Sequence, residues 1–132
     1  MQMREKKTEL VVMVKYDDWK KIISKQQIAI LLRNRPFIKD FQCPFNVYFY
    51  VPKKKLVCGF GEIEKIIPTY ISEELEKETG ILYEDQKKMY NGEKLYCWFL
   101  KNVKVYKEPK TIGEFGLKCA PRDFKYIYPA NS

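Results

Sequence analysis

The segment from Leu95 to Phe115 constrains the fold more than any other part of the chain. Its first six residues, LYCWFL, are all apolar, and a strand that is apolar on both sides must be covered on both faces. Val103 and Val105 then alternate with polar neighbours, which predicts one face open to water. The sequence therefore predicts a long strand over residues 94–106, with Trp98 in the core.

Breaks in the chain delimit the other elements. Pro109 has no N–H to donate and is predicted to end the long strand, as Pro68 is predicted to end an earlier one. We expect strands at 10–14, 28–32, 46–51, 56–67 and 126–128, and a turn at 111–115. One helix is expected to begin near Asp17 or Asp18, and two more are expected to span 72–79 and 83–90. In the first helix, the residues expected to share the buried face are Tyr16, Trp19, Ile22 and Ile23. This order predicts an α+β fold, a small curved mixed β-sheet or open β-barrel with short flanking helices.

The composition sets the broad class of the protein. A chain of 132 residues with 45% hydrophobic and 15% aromatic content is expected to form one domain, residues 1–132, with residues 1–8 loosely held. No apolar run approaches the roughly 20 residues that a membrane helix needs. The first ten residues, MQMREKKTEL, lack the apolar segment of a signal peptide. We therefore expect a soluble, cytoplasmic protein without a membrane partner.

Residue types restrict the chemistry further. The chain contains no histidine, which excludes Ser–His and Cys–His catalysis. Its four cysteines are widely spaced and form no C-x-x-C pair, so they are expected to be reduced residues rather than zinc ligands. We expect no metal and no cofactor.

The positive charge of the chain is concentrated in its first part. The net charge is +8, and residues 1–60 carry all of it, with 13 Lys/Arg against 5 Asp/Glu. Residues 61–132 hold 12 of each. A polyanion is one partner that fits this distribution. Solubility alone is the other explanation.

Several motifs resemble those of small ASCH-domain proteins of the PUA-like superfamily, which occur in bacteria and their phages. That family carries a strand of the type L-Y-G-W-H-I-x-x-L-K-I-Y followed by P-K-x-L-x-E-F. The corresponding segments of this chain are LYCWFLKNVKVY and PKTIGEF, with further matches in WKKIIS, RP, PFNVYFY, LVCG and APRDF. The resemblance spans about residues 11–127 and implies a PUA-like fold with a ligand pocket.

The pocket motif departs from the family pattern. Members usually carry G-K-K-T-x-E-x-R where this chain has KQQIAILL, so Gln27, Ile30 and Leu32 occupy the positions of a lysine, an acid and an arginine. Related amidohydrolases that act on N4-acetylcytidine use that lysine, with a threonine at the acid's place. Glutamine is no amine base and isoleucine has no hydroxyl, so the resemblance implies loss of this activity. A register shifted by one residue would instead bring Arg33 to the arginine position.

Three groups of residues are the candidate binding site. Gln26, Gln27, Arg33 and Arg35 are expected to line a cleft, which Arg122 and Phe124 would close. Lys53, Lys54 and Lys55 are predicted to form a basic turn that attracts phosphates or is merely solvated. The two arginines have an alternative as ion-pair partners of Asp40 or of the acidic segment Glu73–Glu78.

These features favour a non-catalytic module that binds RNA or other single-stranded nucleic acid through a basic cleft. Two alternatives remain open at this point. One is a phage-type inhibitor that binds a protein, such as a host defence nuclease. The other is a relative of the N4-acetylcytidine amidohydrolases with relocated catalytic residues.

Overall fold

A computed structural model describes residues 9–36, 42–90, 92 and 94–127. The predicted loose start, residues 1–8, lies outside the described residues, as do Asp40 and Tyr128. In chain order the elements are β1 (Glu9–Met13), α1 (Tyr16–Ile23), β2 (Ala29–Leu32), β3 (Phe45–Val51), β4 (Leu56–Thr69), α2 (Glu73–Thr79), α3 (Tyr83–Met89), β5 (Leu95–Lys110), a 3-10 helix (Ile112–Phe115) and β6 (Phe124–Ile127).

The six strands form one mixed sheet in the order β2-β5-β4-β3-β1-β6. The pair β1 and β3 is parallel, and every other neighbouring pair is antiparallel. The sheet curls into a half-barrel with the helices beside it, so the predicted α+β class and curved mixed sheet are confirmed. The last strand, β6, lies at a sheet edge.

The long strand β5 organises the sheet. Trp98 within it is fully buried, as expected from the LYCWFL run. The strand continues to Lys110, so the prediction that Pro109 ends it was wrong. The ladder with β4 shifts register between Val57 and Gly59, and a bulge of this kind accommodates a residue without an N–H. Pro68 likewise lies inside β4, which runs on to Thr69.

Helix α1 packs on one face of the sheet. Trp19 lies against Phe49, with ring centroids 5.3 Å apart, and Ile22 is buried beside it. Ile23 is 42% exposed, so its predicted place on the buried face was wrong. The helix ends at Ile23, and the chain then turns through Lys25, whose φ of 66° is left-handed.

Helices α2 and α3 cover part of the sheet through a second apolar cluster. Leu75 and Ile81 join Leu31, Leu95 and Phe99 in it. The Ser72 hydroxyl accepts a hydrogen bond from the Leu75 N–H at 3.0 Å, which caps α2. Gly80 ends the helix with a φ of 85°, as its position in the sequence predicts.

Candidate functional site

A cavity of about 430 Å³ opens where α1, β2 and α3 meet. We call it the polar cavity, and the lining residues that matter here are Lys15, Asp18, Gln27, Ile30, Arg33 and Asp85. Ile30 gives its wall an apolar surface. Asp17, Lys88 and Asp123 also line it, so both carboxylates and cations border the cavity.

Gln27 combines deep burial with an unused hydrogen-bond acceptor. Its side chain is 3% exposed, and Nε2 donates to the Ala29 carbonyl at 2.9 Å. Within the described part of the chain, the buried Oε1 accepts no hydrogen bond. Buried polar groups without a partner are uncommon and costly, which marks this position as functionally interesting.

Asp18 is the second acceptor in the polar cavity. Burial raises the pKa of its carboxyl group, and the carboxylate of Asp85 raises this pKa further, while Lys15 and Lys21 act in the opposite direction. Asp85 has an ion pair with Lys88 at 3.7 Å, whereas no cation among the described residues comes within 4.0 Å of Asp18. The cavity therefore offers acceptors to a ligand that carries N–H groups.

A groove of about 590 Å³ adjoins the polar cavity through Arg33, which lines both. We call it the basic groove, and its other principal residues are Arg35, Tyr70, Lys94 and Tyr96. Of the residues that the structure describes, three cations and no carboxylate line it. Tyr70 is 63% exposed and presents an open aromatic ring.

The two arginines are held by contacts other than ion pairs. Arg33 Nη2 donates to the Met89 carbonyl at 3.0 Å, and the Arg35 guanidinium lies 5.6 Å from the centre of the Tyr96 ring. In the described ranges neither has an ion pair with Glu73–Glu78. The suggested pairing with Asp40 falls on a residue outside the described part. Both guanidinium groups thus keep hydrogen-bond donors for a ligand.

Arg122 and Phe124 line a separate groove of about 610 Å³. Phe124 is half-buried, with its ring centroid 5.3 Å from that of Trp98 and 5.8 Å from that of Tyr126. Neither residue lines the polar cavity or the basic groove. Asn34 lines the basic groove and this third one, and its amide donates to Asp123 at 3.4 Å.

The lysine turn and Gln26 lie elsewhere on the surface. Lys53, Lys54 and Lys55 form the turn between β3 and β4, as predicted, and all three are exposed. Gln26 is also exposed, and its backbone carbonyl lies so close to Gly80 that a Cβ there would clash with it. Of the predicted site residues, only Gln27, Arg33 and Arg35 line the polar cavity and basic groove.

Six of the principal residues of these two sites were not predicted from the sequence: Lys15, Asp18, Tyr70, Asp85, Lys94 and Tyr96. Lys15 and Asp18 flank the start of α1, whereas Asp85 belongs to α3 and Lys94 precedes β5. The position of Tyr70 immediately after a strand and Pro68 was the one local signal for an exposed ring.

Metal and thiol chemistry receive no support from the described residues. No group of three or more Cys, Asp or Glu side chains there is arranged to hold a metal ion. All four cysteines are free thiols. Burial raises the pKa of Cys97 to about 12, and it also raises the pKa values of Cys43 and Cys58. A thiol with a raised pKa is a poor nucleophile at neutral pH.

No helix within the described ranges is long and apolar enough to cross a membrane. The cytoplasmic location inferred from the sequence stays a prediction.

Comparison with known proteins gives a fold but no close relative. No protein-family model matches the chain, and no curated protein sequence matches it. Among solved structures, the ASCH protein of Zymomonas mobilis matches with a TM-score of 0.74 at 16% identity, over 90% of this chain and 87% of the other. Two point mutants of that protein match with TM-scores of 0.74 and 0.73, at 17% and 16% identity, over 95% and 94% of this chain and 91% of theirs. The chain therefore has the ASCH-type, PUA-like fold that its sequence motifs indicated.

Proposed function

We propose that this chain is a non-catalytic module that binds RNA or other single-stranded nucleic acid. The observation that carries the proposal is the basic groove. It combines Arg33, Arg35 and Lys94 with the rings of Tyr70 and Tyr96. Proteins that bind single strands typically combine cations, which neutralise phosphates, with aromatic rings, which stack on bases.

The polar cavity supplies a place for an unpaired base. Its carboxylates repel phosphates, but Asp18 and the amide oxygen of Gln27 can accept hydrogen bonds from the N–H groups of a base. Arg33 lies on the wall shared with the basic groove. A strand whose phosphates follow the groove would thus meet the cavity at one of its bases.

The non-catalytic part of the proposal rests on the side chains at the motif positions. Gln27 and Ile30 both line the polar cavity, where the related amidohydrolases need a lysine and a threonine. Neither side chain offers an amine base or a hydroxyl nucleophile. Turnover of N4-acetylcytidine by the purified protein would contradict this part of the proposal.

Salt dependence is the first test of binding. The affinity for a fluorescently labelled single-stranded RNA is measured by anisotropy at several salt concentrations. We expect the wild-type protein to bind at low salt and to lose affinity steeply as salt rises. Substituting Arg33→Gln and Arg35→Gln should reduce the slope of log affinity against log salt by about 1.4, at roughly 0.7 for each single-strand phosphate contact.

The matched control removes the same charge from surface positions outside the polar cavity and the basic groove. Lys77 and Lys118 are exposed and line neither the polar cavity nor the basic groove, so Lys77→Gln with Lys118→Gln should leave the slope unchanged. Arg35→Gln alone guards against misfolding, because only Arg33 holds the Met89 carbonyl. Absence of binding at low salt would overturn the proposal. Capture of a partner protein that stays bound after nuclease treatment would instead favour the inhibitor alternative.

A further inference from the structure

Three lysine side chains surround one tyrosine ring at the start of α1. The ammonium groups of Lys20, Lys53 and Lys54 lie 4.8, 4.6 and 5.6 Å from the centre of the Tyr16 ring. Lys20 belongs to the same helix as Tyr16, whereas Lys53 and Lys54 come from the turn between β3 and β4. We call these four residues the lysine cluster.

The cluster carries charge that the described protein does not neutralise. Lys20 has one ion pair, a 3.8 Å contact with Asp17. In the described ranges, Lys53 and Lys54 have no carboxylate within 4.0 Å. The three ammonium groups are within roughly 10 Å of one another, about a Debye length at 0.1 M salt, so they repel one another in the free protein.

The backbone holds these lysines close together. The N–H groups of Lys54 and Lys55 donate to the Val51 carbonyl at 3.0 and 2.9 Å, which closes the turn. Lys55 takes a left-handed φ of 58°. Tyr16 is half-buried and packs against the main apolar core, so its ring is a fixed support for the lysine chains. A turn and a ring held in this way lower the entropic cost of gathering the charges around a ligand.

The lysine cluster adjoins the polar cavity through one ion pair. Asp17, which lies 3.8 Å from the Lys20 ammonium group, lines the cavity, as does Lys15. The cavity in turn shares Arg33 with the basic groove. The lysine cluster and the basic groove therefore both adjoin the polar cavity, one through Asp17 and the other through Arg33.

We propose that the lysine cluster is a second phosphate-binding site, which holds the backbone of a single-stranded nucleic acid beside the polar cavity. This inference rests on the proposed function. The lysines of the cluster attract phosphates, whereas the carboxylates that line the cavity repel phosphates and leave the cavity to a base. Ammonium groups act as point charges, so the cluster adds affinity without sequence preference.

The test uses two variants with equal loss of charge. Lys53→Gln with Lys54→Gln alters the cluster, and Lys77→Gln with Lys118→Gln is the control. We expect the first variant to reduce the salt slope for labelled single-stranded RNA by about 1.4, and the control to leave it unchanged. Equal slopes for the two variants, in a wild-type protein that binds RNA, would overturn the second site and leave the proposed function standing.

A second arm examines the cluster without RNA. NMR signals of the Tyr16 ring are followed while inorganic polyphosphate is added to the wild-type protein and to the cluster variant. We expect the signals to shift in the wild type only, and this result would support the phosphate site even if RNA binding failed. Absence of a shift in the wild type would overturn the inference, as would an equal shift with polyglutamate at matched charge, which would point to an acidic protein.

Discussion

Asp18 and Gln27 are two residues of the polar cavity at which burial of a polar group is costly. Gln27 Oε1 accepts no hydrogen bond from the described residues, and the half-buried Asp18 lies near a second carboxylate. Both line the polar cavity. Such groups lower stability unless a ligand supplies donors, and sites that bind ligands are where this cost is tolerated.

The raised pKa of Asp18 predicts a pH dependence of stability. Above its ordinary value of 3.8 the unfolded state ionises this carboxyl group first, so the folded state binds more protons. The stabilisation from protonated Asp18 is therefore present below pH 3.8 and is lost as the pH rises through the folded pKa. Asparagine does not ionise, so the Asp18→Asn variant should become progressively more stable than the wild type as the pH rises through this range.

Urea unfolding of both proteins from pH 3.5 to pH 7 measures the difference in their free energies of unfolding. This range of about 3.5 pH units is wide enough to cover a pKa shift of ordinary size. A difference in the free energy of unfolding that stays constant with pH would contradict the assigned pKa direction. A difference that shrinks as the pH rises would contradict its sign.

Among the elements, α1 and β4 depend on one close contact. Gly59 in β4 faces Trp19 of α1, and a Cβ at position 59 would lie 2.7 Å from Trp19 Cη2 and would also clash with the Lys104 carbonyl. The helix that carries Tyr16 and Asp18, and that Lys15 precedes, is thus positioned by a residue without a side chain. The polar cavity and the lysine cluster both include residues at the start of α1, so both depend on this packing.

Gly59→Ala is therefore predicted to destabilise the protein by about 1–3 kcal/mol, the usual cost of overpacking a core. Gly113→Ala is the matched control, because the nearest atom to its Cβ would be Thr111 Oγ1 at 3.8 Å. We expect the control to stay within about 0.5 kcal/mol of the wild type. Equal unfolding midpoints for the two variants in urea would show that Gly59 does not set this packing.

The strand pattern of the chain was predictable and its interruptions were not. The apolar run around Trp98 identifies the central strand, because a run of that kind needs cover on both faces. Pro68 and Pro109 misled the prediction. A register shift in the β4–β5 ladder accommodates Pro109, whereas Pro68 lies opposite Tyr96 in a regular stretch of the same ladder. Gly59 and Gly61 lie beside two of the shifts and are the local signal for a bulge in β4, whereas nothing near Pro109 signals one.

The candidate site was predictable only where its residues are close in sequence. Gln27, Arg33 and Arg35 come from one segment and were found together. Asp85 and Lys94 join them through the packing of α3 and the start of β5, which are far away along the chain. Contacts of that range follow from the tertiary fold and carry no signal in local sequence.

At the scale of the whole molecule, positive charge is unevenly distributed. The excess of +8 lies in residues 1–60, and the fold places part of it in the basic groove and in the lysine cluster. The polar cavity, with its carboxylates, adjoins the groove through Arg33 and the cluster through Asp17. The arrangement that we propose is a single strand with its phosphates on the two basic surfaces and one base in the cavity.

The measurement that tests this account most directly is NMR mapping of the isotope-labelled protein at low salt during addition of unlabelled single-stranded RNA. We predict that the backbone amide signals of Arg35, Tyr70 and Tyr96 shift, that those around Lys77 stay in place, and that added salt reverses the shifts. If the amide signals of the basic groove do not move, the account is contradicted, whether or not signals elsewhere in the protein shift.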